Sequence, residues 1–212
     1  MFIDLVLAKN NEKEFIEIAE RLSIEGICFV YNFKNKNDFL QNQEKISKLQ
    51  EKTKLKLFTG LIANSKNISK AKKLSKIVIY KSTGNDRHAI EKSKTNIIFD
   101  LETVATKDSL HSRNSGLNQV LCKLANKNNV IIGFSFSNIL NTDGRIRSQI
   151  LGRMMQNIRL CRKYKVKTII ASFAEKPYDL RSCSDLKSVF ISLGMHPKEA
   201  NNSLENIYKH LS

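Results

Sequence analysis

The sequence predicts an α/β protein of the TIM-like barrel type, with seven to eight parallel strands. Short apolar segments alternate with amphipathic segments of about ten to fifteen residues along nearly the whole chain, which is the pattern of repeated βαβ units. No break in composition interrupts the alternation, so we expect a single domain over residues 1–212. An open doubly wound sheet is the alternative. Such sheets usually have a glycine-rich turn after the first strand, and LVLAKNNEKEF contains no glycine.

The strands are predicted from short runs of Val, Ile, Leu and Phe. Strands of a parallel sheet are covered on both faces, so their sequences are continuously apolar. The run Val130, Ile131, Ile132 is an example, and Gly133 follows it directly. The seven predicted strands cover residues 2–7, 26–31, 55–63, 76–80, 96–100, 130–135 and 167–171.

The helices are predicted from apolar residues that recur at spacings of three and four, which place them on one helix face. The segments are residues 12–22, 38–52, 65–74, 86–93, 117–125, 149–164, 184–193 and 197–211. Ser65 and Ser115 are the expected N-caps of the third and fifth helices. Gly194 is expected to end the seventh helix, and Pro197 lies in the first turn of the last.

A barrel of this type carries its function on the loops that follow the strands. These loops are residues 8–11, 32–37, 64, 81–86, 101–114, 136–148 and 172–182. The loops after the fourth to seventh strands carry Arg, Lys or His in or beside them, next to Ser, Asn or Gly. We call this set the basic rim; it comprises Lys81, Arg87, His111, Arg113, Arg145, Arg147, Lys176 and Arg181. A cationic loop at a helix N-terminus attracts anions through its side chains and its free amides.

The charge balance also favours a polyanionic partner. Lys and Arg number 36 against 20 Asp and Glu, giving a net charge of +16 and a pI near 9.8. Such an excess most often serves nucleic-acid binding, although a Lys-rich proteome would produce a similar surface. No apolar run is long enough to span a bilayer, so we expect no membrane contact. The four separated cysteines are expected to be free thiols in a reducing cytoplasm.

No catalytic constellation stands out, and we expect no metal or cofactor site in the chain. Metal-dependent hydrolases on such barrels usually carry H-x-H after the first strand, and FIDLVLAK has no histidine. Asp4, Asp100 and Glu102 are acids near strand ends. If the fifth strand continued, Asp100 and Glu102 would point to the same side and could form an acid/base pair. Pairing with nearby Lys or Arg is the other interpretation.

A resemblance to a known family rests on RNSGLNQVLCKLANKNNVIIGFSF. This segment resembles the signature of the TIM-barrel protein subunit of archaeal and eukaryotic ribonuclease P. In that family a strand that ends in Asp is followed by a loop and an Arg-Asn-Ser-Gly helix start, and Asp100 and residues 113–116 match in order. SFAEKPYDLRSCSDLKSVFISLGM, with Arg181, is a second match. The long helix with Arg153 is a third.

The resemblance implies a barrel related to the PHP phosphoesterases that has lost their metal ligands. It implies a subunit that binds the catalytic RNA and pairs with a small second protein subunit of the component 2 type, as a heterotetramer. The holoenzyme removes the 5′ leader of precursor tRNA, and Mg²⁺ is expected on the RNA. The expected RNA contacts are Lys81, Arg87, His111, Arg113, Asn114, Ser115, Arg145, Arg147, Arg153, Lys176 and Arg181.

Two other functions stay open at this point. The first is a metal-dependent phosphoesterase of the PHP or amidohydrolase type that uses Asp4, Asp100, Glu102 and His111. The absence of H-x-H counts against it. The second is a barrel enzyme whose basic rim binds a small phosphorylated metabolite, without preference for folded RNA.

Overall fold

Seven parallel strands form a nearly closed barrel in the computed structural model, which describes residues 1–211. Each strand pairs with the next in chain order, so the sheet order is β1 to β7. This confirms the predicted TIM-like α/β barrel. The strands are β1 (Ile3–Val6), β2 (Gly26–Asn32), β3 (Lys56–Ile62), β4 (Val78–Lys81), β5 (Ile97–Phe99), β6 (Ile131–Ser135) and β7 (Thr168–Ala171).

The helices surround the barrel, with amphipathic faces such as Phe15, Ile16 and Ala19 turned inward. They are α1 (Glu12–Arg21), α2 (Lys36–Gln50), α3 (Ile68–Ala71), α4 (Arg87–Glu91), α5 (Gln119–Lys127), α6 (Phe136–Leu140), α7 (Gly144–Lys163), α8 (Cys183–Ser192) and α9 (Pro197–Leu211). Short 3₁₀ turns occupy Leu101–Thr103 and Pro177–Asp179. None of the helices in residues 1–211 is long and apolar enough to cross a membrane.

Two of the sequence predictions for this part of the chain are wrong. The third helix is a single turn that starts at Ile68, and Ser65 does not cap it. Instead, the Asn64 side chain accepts the amides of Lys66 and Asn67, because a turn precedes the helix. The predicted loop 136–148 contains α6 and the first turn of α7. Residues 144–148 are exposed, so apolar periodicity begins only at Ile150 and the sequence pattern did not reveal the start of α7.

The core has two layers separated by the sheet. Side chains such as Leu5, Val30 and Ile79 fill the barrel interior, and a larger layer packs between the strands and the helices. Near the carboxyl end of the barrel, the rings of Phe99 and Phe173 stack with their centroids 4.4 Å apart. Full burial of an aromatic side chain stabilises the fold by roughly 1.5–3 kcal/mol. The interior is therefore a packed core and not an open channel.

The barrel closes between β1 and the chain that follows β7. Phe173 donates its amide to the Leu5 carbonyl at 2.9 Å, and Leu7 donates to Ala174 at 2.8 Å. At the opposite end of the seam, α9 takes the place of a further strand: Ile207 is buried in the interior cluster. The Asn206 amide anchors this helix, donating to the Thr168 carbonyl at 2.8 Å. Residues 1–211 contain no eighth strand.

The cysteines form no disulfide within the described residues. Cys28, Cys122 and Cys161 are buried, and Cys183 is half-buried. Burial raises the pKa of the Cys28 thiol far above its usual value. The prediction of free thiols is therefore confirmed, and these side chains serve as small apolar groups in the packing.

Candidate nucleic-acid interface

The basic rim follows four strands that are neighbours in the sheet. Lys81 ends β4 and Arg87 begins the helix after it. The loop with His111 and Arg113 follows β5, and the other four cations follow β6 and β7. Because the carboxyl ends of parallel strands lie at one end of a barrel, these segments emerge on the same side. The cationic residues predicted from the sequence therefore lie around the carboxyl ends of four adjacent strands.

Arg113 lies across the middle of α7. Its Nη1 donates to the Gly152 carbonyl at 3.1 Å, and the residue is exposed. A Cβ on Gly152 would lie 3.1 Å from both Cζ and Nε of Arg113. The bare backbone of Gly152 thus lets the guanidinium lie close to the helix while its other donors face solvent.

Asn114 closes the loop that precedes it. Its backbone amide donates to Asp108 Oδ1 at 3.0 Å, and its side-chain amide donates to the Lys107 carbonyl at 2.8 Å. Both bonds hold the chain in a compact turn that presents His111 to solvent. Asn114 is itself exposed, so its side chain is accessible as well as structural.

Ser115 and Gly116 attach the same segment to the core. Ser115 is buried; its carbonyl accepts from the Asn157 side chain at 2.8 Å, and its Oγ accepts from Gln156 at 3.1 Å. The prediction of an N-cap at Ser115 is wrong: α5 starts later, and Asn118 caps it by accepting the Leu121 amide at 2.9 Å. Gly116 has φ +79°, and a Cβ there would lie 2.5 Å from the Leu101 carbonyl oxygen.

Arg153 holds the loop from inside the protein. Its side chain is 3 % exposed; Nε donates to Asp108 at 2.8 Å, and Nη1 donates to the carbonyls of Glu102 at 2.8 Å and Ala105 at 2.6 Å. The expectation that Arg153 contacts RNA does not fit this placement, since its guanidinium has no surface to offer a phosphate. Burial alone would raise the pKa of Asp108, but the hydrogen bond from Arg153 and the other donors and cations around it hold that pKa below its usual value.

Glu102 and Asn157 form the floor beneath the loop. The Asn157 side chain donates to Glu102 Oε1 at 2.8 Å and is fully buried. Burial raises the pKa of Glu102 to about 7, against the lowering effect of the Asn157 hydrogen bond. Within residues 1–211, Glu102 Oε2 and Arg153 Nη2 are buried and have no hydrogen-bond partner. Buried polar groups of this kind cost free energy unless they are hydrogen-bonded, so this cluster favours a single conformation of the loop above it.

Asp100 does not pair with Glu102 as a catalytic dyad at a strand end. β5 ends at Phe99, Asp100 takes a left-handed conformation with φ +62°, and a 3₁₀ turn follows. Asp100 instead forms an ion pair with Lys81, 3.3 Å away, and accepts from Asn138 at 2.7 Å. Burial raises its pKa despite these partners. The interpretation of Asp100 as the partner of a nearby Lys is confirmed.

The first turn of α7 carries Arg145 and Arg147, both exposed. Arg145 and Gly152 are seven residues apart, which puts them on one helix face about 10 Å from each other. Arg159 is exposed and lies seven residues further on, on the same face. The sequence reasoning missed Arg159, although the heptad spacing of positions 145, 152 and 159 was a usable signal. A row of three guanidinium groups thus follows this face of α7: those of Arg145 and Arg159, with that of Arg113 between them at Gly152.

The remaining rim residues lie on either side of this row. Arg181 is half-buried, donates to the Tyr178 carbonyl at 2.9 Å and lies over the Phe136 ring, 5.6 Å from its centroid. Lys176 is exposed beside it. On the other side, Arg87 is exposed and pairs with Glu91 at 2.8 Å within α4.

The acids of the phosphoesterase alternative do not assemble. Within residues 1–211, no group of three or more His, Cys, Asp or Glu side chains could hold a metal ion. Asp4 accepts the Ser172 amide at 2.7 Å between β1 and the chain after β7, and burial raises its pKa to about 6. The phosphoesterase alternative is therefore not favoured.

Comparison with known proteins decides the family. The sequence profile described as RNase P subunit p30 matches residues 1–211. This chain belongs to the ribonuclease P subunit p30 family. The resemblance seen in the sequence is thereby confirmed over nearly the whole chain.

Curated relatives of this chain carry the name ribonuclease P protein component 3. The protein from Methanocaldococcus jannaschii is 27 % identical over 208 residues, covering 93 % of this chain and 85 % of the relative. The protein from Thermococcus kodakarensis is 40 % identical over 96 residues, covering 45 % of this chain and 43 % of the relative.

One solved structure agrees with the family assignment, and a second shares the fold. A chain in the cryo-EM structure of archaeal ribonuclease P with mature tRNA superposes with a TM-score of 0.79 at 26 % identity, covering 98 % of this chain and 89 % of that one. A prolidase crystal structure superposes with a TM-score of 0.54 at 8 % identity, covering 96 % and 72 %. The prolidase likeness shows only a shared barrel fold.

Proposed function

We propose that this chain is an RNA-binding, non-catalytic subunit of ribonuclease P that supports the catalytic RNA in removing the 5′ leader of precursor tRNA. The observation that carries the proposal is the family match over residues 1–211. The relative seen in archaeal ribonuclease P with mature tRNA supports it.

The RNA-contacting surface in this proposal is the basic rim with Asn114 and Arg159 added. Its arginines bind phosphate oxygens bidentately, because the guanidinium fork matches phosphate geometry. Contacts of this kind position the RNA and carry little sequence information. The proposed contacts are Lys81, Arg87, His111, Arg113, Asn114, Arg145, Arg147, Arg159, Lys176 and Arg181. Ser115 and Arg153 are left out because both are buried.

The chemistry belongs to the RNA in this proposal, and the Mg²⁺ it uses is held by the RNA. The buried acids of the chain support this view. Asp100 and Glu102 serve as anchors for Lys81, Asn138 and Asn157, and no cofactor is assigned to the chain. The protein contributes positive charge that lowers the Mg²⁺ concentration at which the RNA folds.

The proposed partners are ribonuclease P RNA, precursor tRNA through the holoenzyme, and a small second protein subunit of the component 2 type, in a heterotetramer. The relatives' name, component 3, indicates an enzyme with several protein components. We place the assembly in the cytoplasm.

Reconstitution tests the proposal. The purified chain is combined with ribonuclease P RNA and the second subunit, and precursor-tRNA cleavage is measured over decreasing Mg²⁺. We expect the chain to shift the Mg²⁺ requirement to lower concentration and to cleave nothing by itself. Cleavage by the chain alone, with RNA absent, would contradict the non-catalytic assignment.

A further inference from the structure

The positive charge of this chain is unevenly distributed. Residues 1–52 carry eight Lys or Arg and nine Asp or Glu, so the first two β/α units are nearly neutral. Residues 53–99 carry eleven Lys or Arg and only two acids. A composition bias of the proteome would affect both segments alike, so the contrast points to a local role for the second.

Most of this excess lies on two adjacent helical segments outside the basic rim. We define the lysine patch as Lys66, Lys70, Lys72, Lys73, Lys92 and Lys94, all of which are exposed. The segments meet directly: Lys72 Nζ donates to the Lys94 carbonyl at 2.7 Å, and Ser93 Oγ donates to the Ser65 carbonyl at 3.4 Å. The patch is therefore one surface built from α3 and from the turn after α4.

Within residues 1–211, no carboxylate forms an ion pair with this surface. Of the two acids in residues 53–99, Asp86 is buried and accepts from Ser82 and Thr83, while Glu91 pairs with Arg87. Among the described residues, none of the six patch lysines forms a salt bridge. Lys45, on the nearly neutral side of the protein, does form an ion pair: it lies 2.7 Å from the buried Glu12.

The cost of this arrangement is visible at Lys72. Partial burial and the nearby Lys94 charge both lower the pKa of Lys72. Ammonium groups held together without a counter-ion repel each other, and a polyanion that spans them removes the repulsion.

We propose that the lysine patch is a second RNA-docking surface, which binds the phosphate backbone of a helical RNA segment away from the basic rim. The proposal rests on the proposed function. Phosphate is the expected target because the patch offers point charges, and no Phe or Tyr of residues 53–99 is exposed for stacking on a base. Residues 53–99 expose no large apolar side chain either, so the patch lacks the residues that insert into a bilayer.

The test compares two charge-matched quadruple variants. The patch variant is Lys66→Gln, Lys70→Gln, Lys73→Gln and Lys94→Gln, which leaves the Lys72 hydrogen bond in place. The control variant is Lys13→Gln, Lys34→Gln, Lys36→Gln and Lys52→Gln; its lysines are exposed and lie within the nearly neutral residues 1–52. Circular dichroism and thermal melting establish that both variants fold. If the quadruple patch variant does not fold, Lys70→Gln with Lys73→Gln replaces it.

The measurement is the Kd for ribonuclease P RNA as a function of KCl concentration. We expect the patch variant to lose roughly ten- to hundredfold in affinity near physiological salt. The slope of log Kd against the logarithm of the KCl concentration should fall by about three, because binding with fewer phosphate contacts releases fewer counter-ions. The control variant should stay within about twofold of wild type. Equal losses in both variants, or no loss in the patch variant, would overturn the proposal.

Two further arms separate the alternatives. Binding to phosphatidylserine vesicles that the patch substitutions abolish, with RNA affinity unchanged, would make the patch a membrane surface and overturn the proposal. A wild-type chain that prefers ribonuclease P RNA no more than an unrelated RNA duplex would contradict the proposed function. In that case the patch inference is still decided by whether the patch variant weakens duplex binding more than the control variant.

Discussion

The guanidinium of Arg113 lies against the backbone of Gly152 in the middle of α7 and donates to its carbonyl at 3.1 Å. This contact joins the loop after β5 to the helix after β6. It orients an exposed cation on a rigid element, with Arg145 and Arg159 one heptad away on either side. A binding residue placed in this way loses little side-chain entropy when it meets a phosphate.

Replacing Gly152 by Ala should separate stability from RNA binding. The added Cβ would lie 3.1 Å from Arg113 Cζ, so the guanidinium must move. We expect RNA affinity to fall roughly fivefold, a loss of about 1 kcal/mol. Helix propensity should meanwhile raise the free energy of unfolding by roughly 0.5–1 kcal/mol. Urea denaturation and RNA titration measure the two effects, and Ser148→Ala on α7 is the control; unchanged RNA affinity would refute the contact's proposed role.

Gly116→Ala should destabilise the protein strongly. The residue has φ +79°, and the new Cβ would lie 2.5 Å from the Leu101 carbonyl oxygen. We expect a loss of roughly 2–4 kcal/mol, from backbone strain and displacement of the loop. The control is Gly194→Ala, at φ +101° with no atom within 4 Å of its Cβ, which reports strain alone. Chemical denaturation of both variants should show the larger loss at Gly116; equal losses would mean that the close approach is unimportant.

Arg153→Met and Arg159→Met should have opposite signatures. Arg153 is buried and bonds to Asp108 and two carbonyls, so its loss should cost roughly 3–5 kcal/mol and make the loop around residue 108 sensitive to proteases. Arg159 is exposed, and its loss should leave stability within about 0.5 kcal/mol while weakening RNA binding. Denaturation, limited proteolysis and RNA titration distinguish the pair. An Arg153 variant of normal stability but weak binding would restore Arg153 as an RNA contact.

The buried Glu102 should make stability depend on pH. Its pKa is raised by burial from 4.5 to about 7, so between these values the folded state binds more protons than the unfolded state. Stability contributed by the protonated form is therefore present below about pH 4.5 and lost as the pH rises to about 7. Glu102→Gln should match wild type near pH 4.5 and exceed it by on the order of 3 kcal/mol above pH 7. Denaturation at both pH values measures this; a variant that is equally or less stable at pH 8 would contradict the assigned pKa.

The barrel could be predicted from the sequence because the evidence is local. Continuous apolar runs such as 130–132 specify buried parallel strands, and the helix periodicity of α1 and α5 is strong. The Arg-Asn-Ser-Gly segment also carried a family resemblance that the match over residues 1–211 confirms. Its structural role is visible in the structure, since residues 113–115 bond to α7 or to the loop and Gly116 lies close to the Leu101 carbonyl.

The errors arose where tertiary contacts outweigh local preference. Ser115 has a good N-cap side chain, but Gln156 and Asn157 bind it in the core, so Asn118 caps α5 instead. Arg153 is chemically a phosphate ligand, and only the fold shows that Asp108 and two carbonyls enclose it. The three- and four-residue spacing of Ile150, Met154 and Ile158 places position 153 on the buried face of α7, so the burial of Arg153 could have been predicted. Its partner Asp108 could not, because the loop that carries Asp108 is distant in sequence.

The most direct test of the central claim is precursor-tRNA cleavage at lowered Mg²⁺ by the reconstituted enzyme. Wild type is compared with Arg113→Ala and with the exposed control Lys13→Gln, each confirmed to be folded. The account predicts that wild type and the control rescue cleavage, while Arg113→Ala requires more Mg²⁺ for the same rate. Full rescue by Arg113→Ala, with unchanged RNA affinity, would contradict the assignment of this loop as an RNA contact.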